Sequence, residues 1–144
     1  MKKKRILALF LAAVSCLSLA VSASAAGTTT RKATDFKDYD RTAWYAEAVS
    51  AAVDNGLLYG KSANVLDPNG DMTRAEMAAI INRSFGCYAK ADISKYKDVS
   101  KDKWYFEDVA MAVQMGTYNG RSNTAMAPDA PITRQEAMTV VARA

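Results

Sequence analysis

Residues 36–83 recur without a gap as residues 96–143, at a constant offset of 60, and 16 of the 48 aligned pairs are identical. A fixed period marks a duplicated structural unit, and such units pack against their copies instead of around private cores. Gly56 and Gly60 return as Gly116 and Gly120, Pro68 as Pro128, and Trp44-Tyr45 as Trp104-Tyr105. Thr73-Arg74-x-Glu76 returns as Thr133-Arg134-x-Glu136. These residue types set backbone, helix starts and one recurrent positive charge.

Each copy predicts helix, irregular connection, helix, and no strand-period pattern competes, so the fold class is all-α. The first helix is expected to open at Trp44 or Trp104. Trp44, Ala48, Val49, Ala52 and Val53 share one face at helical spacing, as do Trp104, Val109, Ala112 and Val113. Gly56 and Gly116 stand where a left-handed cap ends a helix. Thr73-x-x-Glu76 and Thr133-x-x-Glu136 are capping boxes, each worth roughly 1 kcal/mol. Met77, Ile80 and Ile81 then give the second helix an apolar side, as do Ala137, Val140 and Val141.

The N-terminal 25 residues read as an export signal. Lys2 to Arg5 are the charged region, Ile6 to Val21 the apolar stretch, and Ala23-Ser24-Ala25 the small-residue cleavage site. Residues 26–35 read as a flexible leader, 36–83 as the first repeat, 84–95 as a linker and 96–144 as the second repeat. The whole chain has 19 basic and 15 acidic residues, but the signal holds four of the basic ones. A mature chain is therefore neutral, which argues against nucleic acid as a partner and, once the signal is gone, against a membrane.

The sequence has no histidine, so the commonest general base and metal ligand are both missing. Asp67 to Thr73 resembles the opening of a calcium loop. Met72, however, stands where the turn needs glycine, and Ala78 where a glutamate belongs. No metal, cofactor or catalytic residue is expected, and the chain is not read as an enzyme. Cys87 remains alone after signal removal, either a buried filler or an odd exposed thiol.

The paired motifs resemble the S-layer homology repeat. The first copy carries Phe36-x-Asp38, Trp44, Gly56-x-x-x-Gly60, Leu66-x-Pro68 and Met72-Thr73-Arg74-x-Glu76. The second carries Tyr96-x-Asp98, Trp104, Gly116-x-x-x-Gly120, Met126-x-Pro128 and Ile132-Thr133-Arg134-x-Glu136. Leu66 and Met126 replace the family's usual aromatic, and Thr117-Tyr118 interrupts its aliphatic pair. The resemblance implies repeats packed around a pseudo-threefold axis, here a partial helical bundle. It implies secretion to the cell wall and anchoring there by non-covalent binding of secondary cell-wall polysaccharide, often pyruvylated, in grooves between repeats. It makes Arg74 and Arg134 the principal ligand contacts, and adds Asp38, Asp98, Trp44 and Trp104 as candidates.

The residues themselves leave alternatives open. Arg74 and Arg134, at helix starts, suit an anion or a carboxylate of the neighbouring repeat. Lys61 and Arg121, each following a glycine, suit a groove or plain solvent. The tryptophans suit a sugar face or the core. The aspartates suit sugar hydroxyls or turns, and Glu76 and Glu136 suit capping. Two repeats without a distinct cap also suggest a fragment, a third repeat, or assembly with other chains of the same kind as a structural protein that binds no glycan.

Overall fold

The computed structural model describes residues 31–144, so the export signal and the start of the leader lie outside the described residues. Four helices follow one another: α1 (Ala46–Asp54), α2 (Arg74–Phe85), α3 (Phe106–Gln114) and α4 (Arg134–Arg143). Among the described residues strand-like pairing is limited to two isolated bridges, Ser62 with Val65 and Thr73 with Pro131. The fold is all-α.

Both capping boxes form. The Thr73 amide donates to Glu76 Oε2 at 2.8 Å and the Glu76 amide to Thr73 Oγ1 at 3.2 Å. Thr133 and Glu136 repeat this at 2.9 and 3.2 Å. Each first helix stops at a left-handed glycine, Gly56 at φ +68° and Gly116 at φ +81°, a conformation that costs a residue with a Cβ more.

Two expectations need correction. The first helix of each repeat starts two residues after its tryptophan, so the tryptophans do not open its buried face. Trp44 is 95% and Trp104 60% exposed. Each stands edge-on to the tyrosine that follows, with centroids 5.7 and 5.5 Å apart, and Tyr105 turns into the core instead. The described part of the leader is also ordered. Ala33–Asp35 form a 3-10 turn that buries Ala33 against Phe36, Val53 and Leu66.

The principal core does not respect the repeat boundary. α2 belongs to the first repeat, yet its Ala75, Met77, Ala78 and Ile81 pack with Tyr105, Val109 and Ala112 of the second. The first repeat keeps for itself only the small cluster around Phe36. Tyr118 is part of this join, its buried hydroxyl donating to the Arg74 carbonyl at 2.9 Å, while Thr117 Oγ1 donates within the second repeat to the Ala112 carbonyl at 3.1 Å. Gly86 caps α2 in the left-handed region, and half-buried Cys87 directs its thiol to the Met111 carbonyl.

The aspartates hold the loop before each second helix. Asp38 accepts from the Leu66 and Asp67 amides at 2.9 and 2.7 Å. Asp98 accepts from the Met126 and Ala127 amides, the former at 2.9 and the latter at 2.6 Å. Asp67 and Ala127 both sit at φ +55°, just before a proline. A non-glycine residue there is strained by roughly 1–3 kcal/mol and persists only where its surroundings fix it. The amides of Leu66 and Asp67 hold the Asp38 carboxyl below its ordinary range. For Asp98, burial pushes the pKa up, but the Met126 and Ala127 amides outweigh it.

Candidate functional site

The loop after α1, the Leu66–Met72 segment and α2 enclose a cleft of about 560 Å³ in the first repeat, and Trp104 of the second repeat closes one side. Its rim is aromatic. Tyr59 is 57% exposed, and the Arg83 guanidinium lies 4.3 Å above its ring, anchored by Nη1 donating to the Leu57 carbonyl at 3.1 Å. Lys61 reaches across the mouth, donating to both Glu76 oxygens at 2.7 and 2.8 Å and to the Asp71 carbonyl at 2.9 Å. Burial raises the Glu76 pKa, but the bond from Lys61 and those from Thr73 together outweigh it, so the pKa lies below its ordinary value.

Such a site combines flat apolar area with fixed cations and acceptors. An aromatic face suits the C–H face of a sugar ring, and a guanidinium suits a carboxylate bidentately. The second repeat has a related but smaller depression of about 200 Å³, bounded by Arg74, Arg121, Glu136 and Arg143. Asn119 replaces Tyr59 there, and the wall that Trp104 supplies has no counterpart among the described residues.

The expected site residues therefore separate. Lys61 and Trp104 meet in the large cleft. Trp44 is outside both depressions. Arg121 engages Glu136 through Nε and Nη2, both at 3.1 Å, and the Pro131 carbonyl at 3.2 Å. That bond, with the Thr133 amide and the Arg74 charge, draws the Glu136 pKa down to about 2. Asp38 and Asp98 serve the loops.

The two arginines at the helix starts have opposite surroundings. Arg74 is 4% exposed. Its Nε donates to the Met126 carbonyl at 3.0 Å, Nη2 to the Asn119 carbonyl at 3.0 Å, and Nη1 to Glu136 at 2.9 Å. The guanidinium also lies 5.3 Å from the Tyr118 ring centroid. All of these partners are in the second repeat, so Arg74 is an inter-repeat tie and not an open anion receptor. Arg134 is exposed, and its side chain makes no hydrogen bond or ion pair among the described residues.

Tyr59 and Arg83 were not singled out by sequence reasoning. Arg83 recurs as Arg143 at the offset of 60, a signal available in the alignment. Tyr59 has no such signal, because Asn119 occupies its place.

The family model for the S-layer homology domain matches residues 35–78 and 95–138. The chain is 37% identical over 113 residues to the surface-layer 125 kDa protein of Lysinibacillus sphaericus, covering 76% of this chain and 10% of that protein. It is 27% identical over 143 residues to an endoglucanase of Bacillus sp. (strain KSM-635), covering 98% of this chain and 15% of the enzyme. It is 30% identical over 140 residues to a cell surface protein of Thermoanaerobacter kivui, covering 93% and 18%. The chain thus spans less than a fifth of the length of these relatives.

Proposed function

The chain belongs to the S-layer homology domain family, and from that premise we propose that it anchors non-covalently to the bacterial cell wall by binding secondary cell-wall polysaccharide. Its place is the cell wall or cell surface. The binding site is the cleft between the repeats, and the preferred ligand is an anionic glycan such as a pyruvylated one. One observation supports this most: Trp104 of the second repeat faces the Tyr59–Arg83 stack and Lys61 of the first across a single cleft. Arg83 would pair with the sugar's carboxylate while Trp104 and Tyr59 pack on its ring, and Lys61 would exchange part of its Glu76 contact for the ligand.

No catalytic role attaches to this reading. The segment resembling the endoglucanase is a small part of that enzyme, and sequence relatedness at such coverage speaks for a shared module.

Equilibrium binding of the exported protein to purified wall polysaccharide, before and after removal of its acidic substituents, tests the proposal. Losing a charge-assisted contact of about 1.5–3 kcal/mol weakens binding roughly 10- to 100-fold, which is expected for Arg83→Ala. Trp104→Ala should lose about fivefold, in line with roughly 1 kcal/mol for an aromatic contact. Trp44→Ala should bind as the parent does. Unchanged affinity in both Arg83→Ala and Trp104→Ala would remove the cleft from the mechanism.

A further inference from the structure

Arg31, in the leader, holds the loop that carries two residues of the large cleft, Tyr59 and Lys61. Its Nη1 donates to the Tyr59 carbonyl at 3.0 Å, and its guanidinium lies 5.1 Å from the centroid of the Phe36 ring. Phe36 is buried and packs so closely on Gly60 that a Cβ there would overlap its ring. Gly60 stands at φ +81° and, lacking a Cβ, adds little stiffness of its own. Neither Tyr59 nor Gly60 enters a backbone–backbone hydrogen bond among the described residues. Backbone pairing resumes at Lys61, whose amide donates to the Val65 carbonyl at 2.9 Å. Arg31 is therefore the polar hold on the Tyr59 backbone, as the Arg83 stack is the hold on its ring.

The repeat brings out the purpose of this contact. At the offset of 60, Arg31 corresponds to Ala91, whose side chain cannot donate, and Tyr59 to Asn119. The Asn119 carbonyl is nevertheless held, by Nη2 of Arg74 at 3.0 Å. Each repeat thus pins the same carbonyl with a guanidinium, the second from α2 and the first from the leader. Arg31 is not among the residues that line the cleft, so its influence there passes through Tyr59.

We infer that Arg31 is a positioning residue for glycan binding, a role that rests on the wall-binding reading. It fixes the Tyr59 backbone, and with it the ring and the nearby Lys61, in the arrangement that meets the sugar. A loop already ordered need not be ordered by the ligand, so the bond raises affinity without touching the glycan. A contact shifts a loop's population by no more than its own worth. For one partly exposed hydrogen bond that corresponds to roughly a three- to tenfold change in affinity.

Equilibrium binding to purified wall polysaccharide and amide hydrogen exchange, both on the full exported chain, test this together. Arg31→Ala should weaken binding about three- to tenfold. It should also speed exchange of the Lys61 amide, while exchange within α2 keeps the parent's rate. Arg31→Lys, which retains a donor and a cation, should recover part of both effects. In a Tyr59→Ala background the ring is gone, so Arg31→Ala should cost markedly less affinity than it does in the parent. A full additional loss in that background would place Arg31 on the glycan itself, or make its effect one of net charge, and would overturn the inference. So would unchanged exchange at Lys61, or unchanged affinity in Arg31→Ala when Trp104→Ala and Arg83→Ala both bind weakly. If those two variants bind as the parent does, the cleft reading fails instead, and exchange at Lys61 still decides whether Arg31 orders the loop.

Discussion

Replacing Arg74 by alanine should cost far more stability than replacing Arg134, although the two residues occupy the same position in a repeated motif. Arg74 makes three hydrogen bonds from a buried guanidinium, two to carbonyls and one to Glu136. At about 1.5–3 kcal/mol for each bond to a charged group, their gross worth is roughly 5–9 kcal/mol. Part of that is offset by the desolvation of the guanidinium itself, and Glu136 keeps Arg121 as a partner after the change. Breaking a buried pair from one side costs about 3–5 kcal/mol. Set against a total stability of roughly 5–15 kcal/mol, it is a large fraction. The melting temperature should fall by about 10–20 °C. Arg134→Ala removes an exposed side chain with no partner among the described residues and should change stability by less than about 0.5 kcal/mol. Urea unfolding of both variants, followed by circular dichroism at the helical band, reads the difference. Equal losses in the two variants, or a loss below about 1 kcal/mol for Arg74→Ala, would refute the role of Arg74 as the tie between repeats.

Asp98→Ala should destabilise by about 1–2 kcal/mol, since it leaves the Met126 and Ala127 amides without their carboxylate at a strained turn; Asp98→Asn, which keeps an acceptor, should recover part of the loss in the same unfolding assay. Acid sensitivity should carry the signature of Glu136. Its folded pKa of about 2 lies below the ordinary value of 4.5, so its contribution is fully present above the ordinary value and is lost as pH falls through that window. Subtracting the Glu136→Gln melting curve from the parent's, pH by pH, should leave a difference that shrinks as pH drops from about 4.5 toward 2; a difference independent of pH would contradict it.

Much of the fold was legible because the signals were local. Thr73 and Glu76, or Thr133 and Glu136, need only three residues of chain to form a cap. The helix-ending glycines and the loop-fixing role open to Asp38 and Asp98 were similarly accessible from residue type. Trp44 and Trp104 misled because periodicity cannot say where a helix begins. A start two residues later takes the tryptophans off the apolar face. The fate of Arg74 was hidden for a different reason: its partners at Asn119, Met126 and Glu136 are 45 to 62 positions away. A repeat read by itself makes Arg74 and Arg134 equivalent, and it is the second repeat, packed against α2, that buries Arg74. The cleft was likewise assembled from distant pieces, with Trp104 arriving from the other repeat and Tyr59 absent from the repeat signature.

The core that places α2 with the second repeat has a consequence for how such proteins are cut and joined. The period visible in the sequence runs from Phe36 to Arg83, but the packed unit runs from Arg74 into the helix and loops that follow it. Gene boundaries drawn at the repeat edges therefore slice through a hydrophobic interior. A recombinant ending near Arg83 would carry an intact sequence repeat whose second helix has lost the surface it folds against. Modules meant to be portable should be cut out of phase with the repeat, within the loop ahead of Thr73 or Thr133, so that each α2-like helix travels with the partner that covers it.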